Sequence, residues 1–283
     1  MRLRVGAATN RGRVRELNED VYIARAAQGL FVVCDGMGGA PDGEVASRVA
    51  ADTILQAIDG PPGDAAPPRT EERGYLPQTC RLAEAVRSSN DVVYRQGHTD
   101  SSRAAMGTTV VGAWINHHIA SIAHVGDSRA YLWHERRLQA LTRDHSLAEL
   151  LIRDGGDVSA RGLTSDQQNT LVRVLGGEPD VQVELKEIPV QPGDYLLLCS
   201  DGLTRMVPES ALCDAISRIR EPQRICDHLI DAANGNGGAD NITVVVVEVV
   251  DSWWRRLAAQ WRRQLLSRAV DCELPATPRA PLR

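Results

Sequence analysis

One phenylalanine serves the whole 283-residue chain, and aromatic residues together reach only 4%. With 43% hydrophobic residues a substantial core can still form, but it must be built from Val, Leu, Ile and Ala. No stretch approaches the roughly 18 apolar residues that a membrane-spanning helix needs. The best run, ITVVVVEVV at 242–250, is short and carries Glu248. The opening MRLRVGAATN lacks an apolar h-region, so no secretory signal is expected and a cytoplasmic location is the reading. A basic excess is also missing: the formal charge of -5 argues against a general nucleic-acid binder. The six cysteines (34, 80, 199, 213, 226, 272) form no CxxC pair, which argues against zinc or a disulfide framework. Cys34 and Cys199 fall inside strand-like runs and read as buried free thiols of a reducing compartment.

What is present alternates in blocks. LRVGAAT (3–9), DVYIARA (20–26) and LFVVC (30–34) read as strands from their β-branched content. A helix follows over 43–58, with Val45, Val49, Ile54 and Ile58 near helical spacing, and a second fits 79–97. Between them, 60–74 is rich in Pro and Gly and reads as an exposed loop. A meander occupies 108–115, 118–125, 129–134 and 137–142, with turns short enough for antiparallel neighbours. Residues 146–170 are polar without sustained period and read as a mobile insertion. Strands return at 181–190 and 194–200, helices fit 209–219 and 222–233, and 241–250 closes a sheet. So few βαβ alternations disfavour a parallel, doubly wound sheet; packed antiparallel sheets with paired helices outside fit better.

Two stretches carry an unusual signature. VVCDGMGG (32–39) and LLCSDG (197–202) each end an apolar run with a carboxylate, Asp35 or Asp201, followed at once by glycine. A carboxylate at the end of a buried strand is costly unless something pairs with it, and glycine permits close approach. LNED (17–20), VGDSR (125–129) and GADN (238–241) add acids at further strand ends or turns. Asp beside Gly is ordinary turn chemistry at any one of these places. Five together would form a cluster of carboxylate oxygens, with no His or Cys as ligand, and that suits a hard cation such as Mg²⁺ or Mn²⁺.

The series RGRVRELNED, VVCDGMGG, MGTTVVG, AHVGDSRAYL, LTRDHSL, LLLCSDGLT and DNITVVVV resembles the bacterial type 2C metal-dependent protein phosphatases, in that family's order, over about residues 3–250. The resemblance implies an α+β fold, an α-β-β-α sandwich of two antiparallel sheets flanked by helices, with metals at one end. It implies that Asp35 bridges two ions, that the Gly36 carbonyl meets the second, and that Asp201 and Asp240 complete the first. Glu19 and Asp20 correspond to acids that hold metal-bound waters. Asp127, with Asp201, corresponds to a weaker third site, and Arg15 to the arginine that grips substrate phosphate. The implied cofactors are Mn²⁺ or Mg²⁺, two core ions and a weaker third. The implied activity is hydrolysis of phosphoserine and phosphothreonine by a metal-bridged water, with no phospho-enzyme. Phosphoprotein targets of a Ser/Thr kinase would be the partners, and no nucleic acid. Relatives often carry histidine where this chain has Ala40, which leaves the general acid open. His145 reads as a structural hydrogen-bonding residue; His117, His118 and His124 read as surface or satisfied histidines. Ser128 and Arg129 read as shaping the turn at Asp127. Two rival readings stay in view: a catalytically silent binding module of the same fold, and another carboxylate-metal hydrolase such as a nuclease.

The resemblance covers a catalytic domain, 1–251, and leaves a tail, 252–283. Trp253, Leu257, Trp261 and Leu265 recur every four residues, flanked by Arg255, Arg256, Arg262 and Arg263. The tail carries seven Arg against one Asp and one Glu, a net +5, which leaves -10 on the first 251 residues. A basic amphipathic helix over 253–268 is expected, docking on its own acidic domain, on a protein partner or at the inner membrane face.

Overall fold

Near-continuous runs of Val, Leu and Ile, buried on both faces, form two antiparallel sheets that face one another. The computed structural model describes residues 1–38, 42–61, 69–99, 106–153, 155 and 163–250. Ala40 and the tail, including the 253–268 helix expected from sequence, lie outside the described residues. The first sheet contains β1 (Arg2–Asn10), β11 (Ile242–Val250), β10 (Tyr195–Cys199), β7 (Arg129–His134) and β8 (Arg137–Ala140), in that spatial order. The second runs β2 (Asp20–Arg25), β3 (Leu30–Met37), β5 (Val110–Asn116), β6 (Ile119–Val125) and β9 (Glu184–Pro189), with short β4 (Gly107–Thr108) pairing beside β3.

Three apolar layers hold the sandwich. Phe31, Val33, Leu196, Leu198, Val245 and Val247 are fully or almost fully buried between the sheets. Helices α1 (Asp42–Asp59) and α2 (Pro77–Thr99) cover the outer face of the second sheet, and α6 (Glu209–Ile219) with α7 (Pro222–Gly235) cover the first. The fold is therefore the α-β-β-α sandwich expected. In α1 the buried stripe is Ala46, Ala50, Ile54 and Ile58; Val45 and Val49 are only partly buried at its edge. Two alanines let the helix lie close to the sheet. Glu221 caps α7 by accepting from the Arg224 N–H at 2.7 Å, with Pro222 in the first turn, where its missing N–H costs nothing.

The structure departs from the sequence reading in several places, and each has a cause. The meander is not continuous: β5 pairs with β6 and β7 with β8, but β6 and β7 belong to different sheets. The Gly126–Asp127–Ser128 turn crosses the sandwich, which sets Asp127 at its end. The strand expected from 108 breaks at Thr109, whose N–H goes to the Asp35 carbonyl at 2.8 Å. Within 60–74, Thr70–Glu72 forms a 3₁₀ turn, and Glu72 is buried against Arg87. The insertion at 146–170 contains two short helices, α3 (Leu147–Arg153) and α4 (Ser165–Gln168). The strand expected from 181 begins only at Glu184. The remaining four-residue helix, α5 (Asp201–Thr204), directly follows β10.

Candidate metal centre

Along β3, Phe31 and Val33 face the inter-sheet core and Asp35 is the next residue on that face. On β10 the row Leu196, Leu198 leads to Ser200, and on β11 the row Val247, Val245 leads to Thr243. All three rows change from apolar to polar at the same end of the sandwich. There Asp20 of β2 stands directly opposite Asp35 of β3. Like charges facing each other across two strands are destabilising without a cation.

Asp201 enters from the start of α5, Asp127 from the crossing turn, and Asp240 from the residue pair before β11. Together with Glu19, the Gly36 backbone, Arg15 and Arg205, these acids line a cleft of about 380 Å³, apart from Asp20, which lies behind it. Asp20 Oδ1 and Asp201 Oδ1 are buried with no hydrogen-bond partner among the described residues. Orphaned carboxylate oxygens in an all-oxygen donor set are what a hard divalent cation would satisfy, so the residues present fit Mn²⁺ or Mg²⁺.

The surrounding electrostatics agree. Burial, reinforced by the charges of Asp20, Asp201, Asp127 and Asp240, holds the Asp35 carboxyl well above the usual carboxylate range. Burial pushes Asp20 up to about 7, against the opposing hydrogen bonds of Thr243 and Ser200. Asp127 is also pushed up to about 7, by burial and then by Asp201, with Arg205 pulling it down. Burial raises Asp201 and Glu19 as well. Without bound cations this much negative charge is offset in part by protons.

The scaffold fixes each acid. Asp35 is held by its backbone: its N–H donates to Thr109 Oγ1 at 3.1 Å, and its carbonyl accepts from Thr108 Oγ1 at 2.9 Å. Ser200 Oγ donates to Asp20 Oδ2 at 2.8 Å and accepts from the Thr243 N–H at 2.9 Å, tying the two sheets beneath the site. A Cβ on Gly36 would run into the Gly43 carbonyl of α1, and one on Gly202 into the Asn241 carbonyl. Both glycines after the acids are therefore required by close backbone approach.

Arg15 Nη2 donates to Asp240 Oδ2 at 2.8 Å while half of its side chain stays exposed to the cleft. Asn241, which the sequence reading did not single out, holds the loop carrying Arg15 and Glu19. Its Nδ2 donates to the carbonyls of Arg11 at 3.0 Å and Leu17 at 2.8 Å, and its Oδ1 accepts from the Glu19 N–H at 2.8 Å. Arg205 was missed too, although it follows Asp201 by one helical turn. It pairs with Asp201 and reaches within 3.6 Å of Asp127 and 4.0 Å of Asp240.

His145 has the hydrogen-bonding role expected: its Nδ1 accepts from the Gly126 N–H at 3.0 Å, and its own N–H donates to the Gly126 carbonyl at 2.8 Å. That leaves Nε2 protonated and donating to Glu184 Oε2 at 3.1 Å. Arg129 forks onto Asp144 at 2.7 and 2.6 Å, and Ser128 Oγ shares a 2.7 Å hydrogen bond with Thr109 Oγ1, so both shape the turn. His124 corrects the sequence reading. It is neither at the surface nor satisfied: it is 1% exposed, and neither ring nitrogen has a hydrogen-bond partner among the described residues. Burial and the adjacent His145 push its pKa down to about 3, so the ring is neutral. His124, His145 and Glu184 do bring three potential ligand atoms within 4.8 Å of one another. The Arg173 guanidinium, however, lies 3.1 Å from His145 Nε2, where it opposes a second cation.

A family model described as "Protein phosphatase 2C" matches residues 10–236. A serine/threonine phosphatase stp from Listeria welshimeri is 37% identical over 243 residues, which cover 85% of this chain and 93% of that protein. The serine/threonine protein phosphatase PstP of Mycobacterium tuberculosis is 33% identical over 249 residues, 88% of this chain and 45% of the relative. The crystal structure of M. tuberculosis PstP/Ppp matches with a TM-score of 0.77 at 31% identity, covering 89% of this chain and 100% of that one. The PstP catalytic domain in complex with two manganese ions matches with a TM-score of 0.74 at 33% identity, covering 88% and 99%.

Two outcomes are expected from this geometry. Replacing Asn241 with alanine leaves the Glu19 N–H and two carbonyls without partners, a loss of about 1–3 kcal/mol. The melting temperature should fall and kcat/KM should fall with it, because the Arg15 loop loses its anchor; unchanged kinetics would show that the loop is held in another way. Because Asp20 and Asp127 titrate near 7 in the cation-free site, divalent-ion binding should release protons and weaken as pH drops through 7. Calorimetry in buffers of different ionisation heat reads that release directly, and a buffer-independent heat at pH 6.5 would contradict it.

Proposed function

The chain belongs to the protein phosphatase 2C family, and from that premise we propose that Asp35, the Gly36 carbonyl, Asp201 and Asp240 are the direct metal ligands of its active site. The protein is a metal-dependent serine/threonine phosphatase with phosphoprotein substrates. What carries the assignment of roles is the convergence of Asp20, Asp35, Asp127, Asp201 and Asp240 around buried, unpartnered carboxylate oxygens.

Bound Mn²⁺ or Mg²⁺ supplies a water of lowered pKa and Lewis-acid pull on the phosphoryl oxygens. The chain's own residues do the rest. Asp35 would hold both ions, and Glu19 and Asp20 would accept hydrogen bonds from the water that the ions carry. Arg15 presents its planar fork from the cleft rim, where it binds two phosphate oxygens and orients phosphorus toward the acids. Ser200, Thr109 and Asn241 keep these groups from shifting. No nucleophilic side chain is needed: burial pushes the Cys34 thiol far above its ordinary range and Cys199 up to about 12, so neither supplies a thiolate. The silent-module reading is disfavoured because every matched carboxylate is present, and a nuclease is disfavoured by the acidic domain.

Manganese-dependent phosphate release from phosphothreonine peptides should be abolished by chelator and untouched by thiol alkylation. Asp35→Asn should lower turnover by more than about 100-fold, beyond the roughly 10–100-fold that losing an outer metal partner costs. Full activity in EDTA would end the metal-bridged reading.

The substrates are proposed to be targets of a Ser/Thr kinase. No helix among the described residues is long and apolar enough to cross a membrane. The basic four-residue repeat over 253–268 supports peripheral docking, on an anionic surface or on a protein. Truncation at 251 should then abolish binding to anionic vesicles or to the protein partner, in a salt-dependent manner, and leave small-peptide turnover intact. A lowered melting temperature with no lost binding would instead mean that the tail packs on its own domain.

A further inference from the structure

Asp201 opens α5, and Arg205 caps its far end four residues later, so one helical turn sets both side chains on the same side. Arg205 Nη2 pairs with Asp201 Oδ2 and lies 3.6 Å from Asp127 Oδ2; Nη1 lies 4.0 Å from Asp240 Oδ2. A single guanidinium thus stands between Asp127 and Asp201, the two acids that the family resemblance assigns to a weaker third ion. Both acid side chains are largely buried, at 9% and 12% exposure, whereas Arg205 is 40% exposed and lines the open cleft.

We propose that Arg205 is a tethered cation that takes the place of a third divalent ion, so that this enzyme completes its centre with two ions and one guanidinium. The proposal rests on the reading of Asp35, Gly36, Asp201 and Asp240 as metal ligands. Three considerations support it. First, a guanidinium is charged at any working pH, so the position always holds a cation. Second, the tether gives that cation an effective concentration in the millimolar range or above. A free ion that binds there weakly has to displace it, leaving the arginine without its carboxylate partners. Third, charge closes without a further ion: Glu19, Asp20, Asp35, Asp127, Asp201 and Asp240 are balanced by two divalent ions together with Arg15 and Arg205.

The substitution changes what the position can do. A guanidinium carries no ionisable water, so it contributes no nucleophile there. Its work is to hold Asp127 and Asp201 in place and to offer its remaining N–H groups to the cleft. Arg15 and Arg205 approach the same Asp240 oxygen, Oδ2, from separate segments, so the two arginines bracket that acid.

The test is a count of bound manganese on the full chain by equilibrium dialysis, at free Mn²⁺ from about 10 μM to a few millimolar. Wild type should stop at two ions. Arg205→Ala should take up a third in that range, its affinity raised by about tenfold or more over wild type, and Arg205→Ala/Asp127→Asn should return to two. Hydrolysis of a phosphothreonine peptide by Arg205→Ala should show a second, higher-concentration phase in its manganese dependence that wild type lacks. A third ion on wild type at equal affinity, no third ion on Arg205→Ala, or a third ion that survives Asp127→Asn would each overturn the proposal. Asp35→Asn separates the premise from the inference. If that variant still binds both ions, the ligand assignment itself is wrong, and the proposal goes with it.

Discussion

Mutual repulsion among carboxylates at one end of the inter-sheet core is the constraint on which the rest of this structure depends. Asp20 and Asp35 face each other across neighbouring strands, and three further aspartates press in from other segments. Nothing in an apolar sandwich stabilises such a set. Bound divalent cations would offset that repulsion, and the fold supplies the rigidity that keeps the acids from spreading apart. Burial, and after it the charge of neighbouring acids, raises Asp20 and Asp127 to about 7.

The frame is suited to that task because its polar bracing lies directly beneath the acids. Ser200 links β2, β10 and β11 by accepting from Thr243 and donating to Asp20, and Thr108 and Thr109 fix the Asp35 backbone. The glycines after the two acids let α1 and the start of β11 come against the chain where a side chain would hold them off. On the outer rim, Arg15 and Arg205 supply the fixed positive charge of the cleft. One is carried by a loop that Asn241 anchors, the other by the end of a short helix that starts at Asp201.

The insertion at 146–170 touches the centre through hydrogen bonds made just outside it. His145 clasps Gly126 by both its backbone and its ring, and the Val172 N–H returns to the His145 carbonyl at 2.8 Å. The turn that carries Asp127 is therefore braced from the same region whose residues Asn169, Thr170 and Leu171 line the cleft.

Much of this was legible in the chain. The apolar runs determined the strands, and the acids placed directly after two of them pointed to the strand ends as a candidate site, because burying an unpaired carboxylate is costly. Asp35, Asp201 and their glycines stood out in that pattern, but their roles as ligands came from the resemblance to the family. The sequence could not show register or sheet membership. Whether β6 and β7 pair or part depends on which faces bury together, and only the parted arrangement sets Asp127 beside Asp201. That Asp20 lies opposite Asp35, that Asn241 ties down the Arg15 loop from more than two hundred residues away, and that His124 is sealed without a partner are likewise consequences of packing. Arg205 stands between the two cases: its spacing from Asp201 was visible, but its meaning was not. A charge four residues along a helix becomes a counter-ion for Asp127 and Asp240 only when three distant segments meet, and that meeting is decided by the tertiary structure.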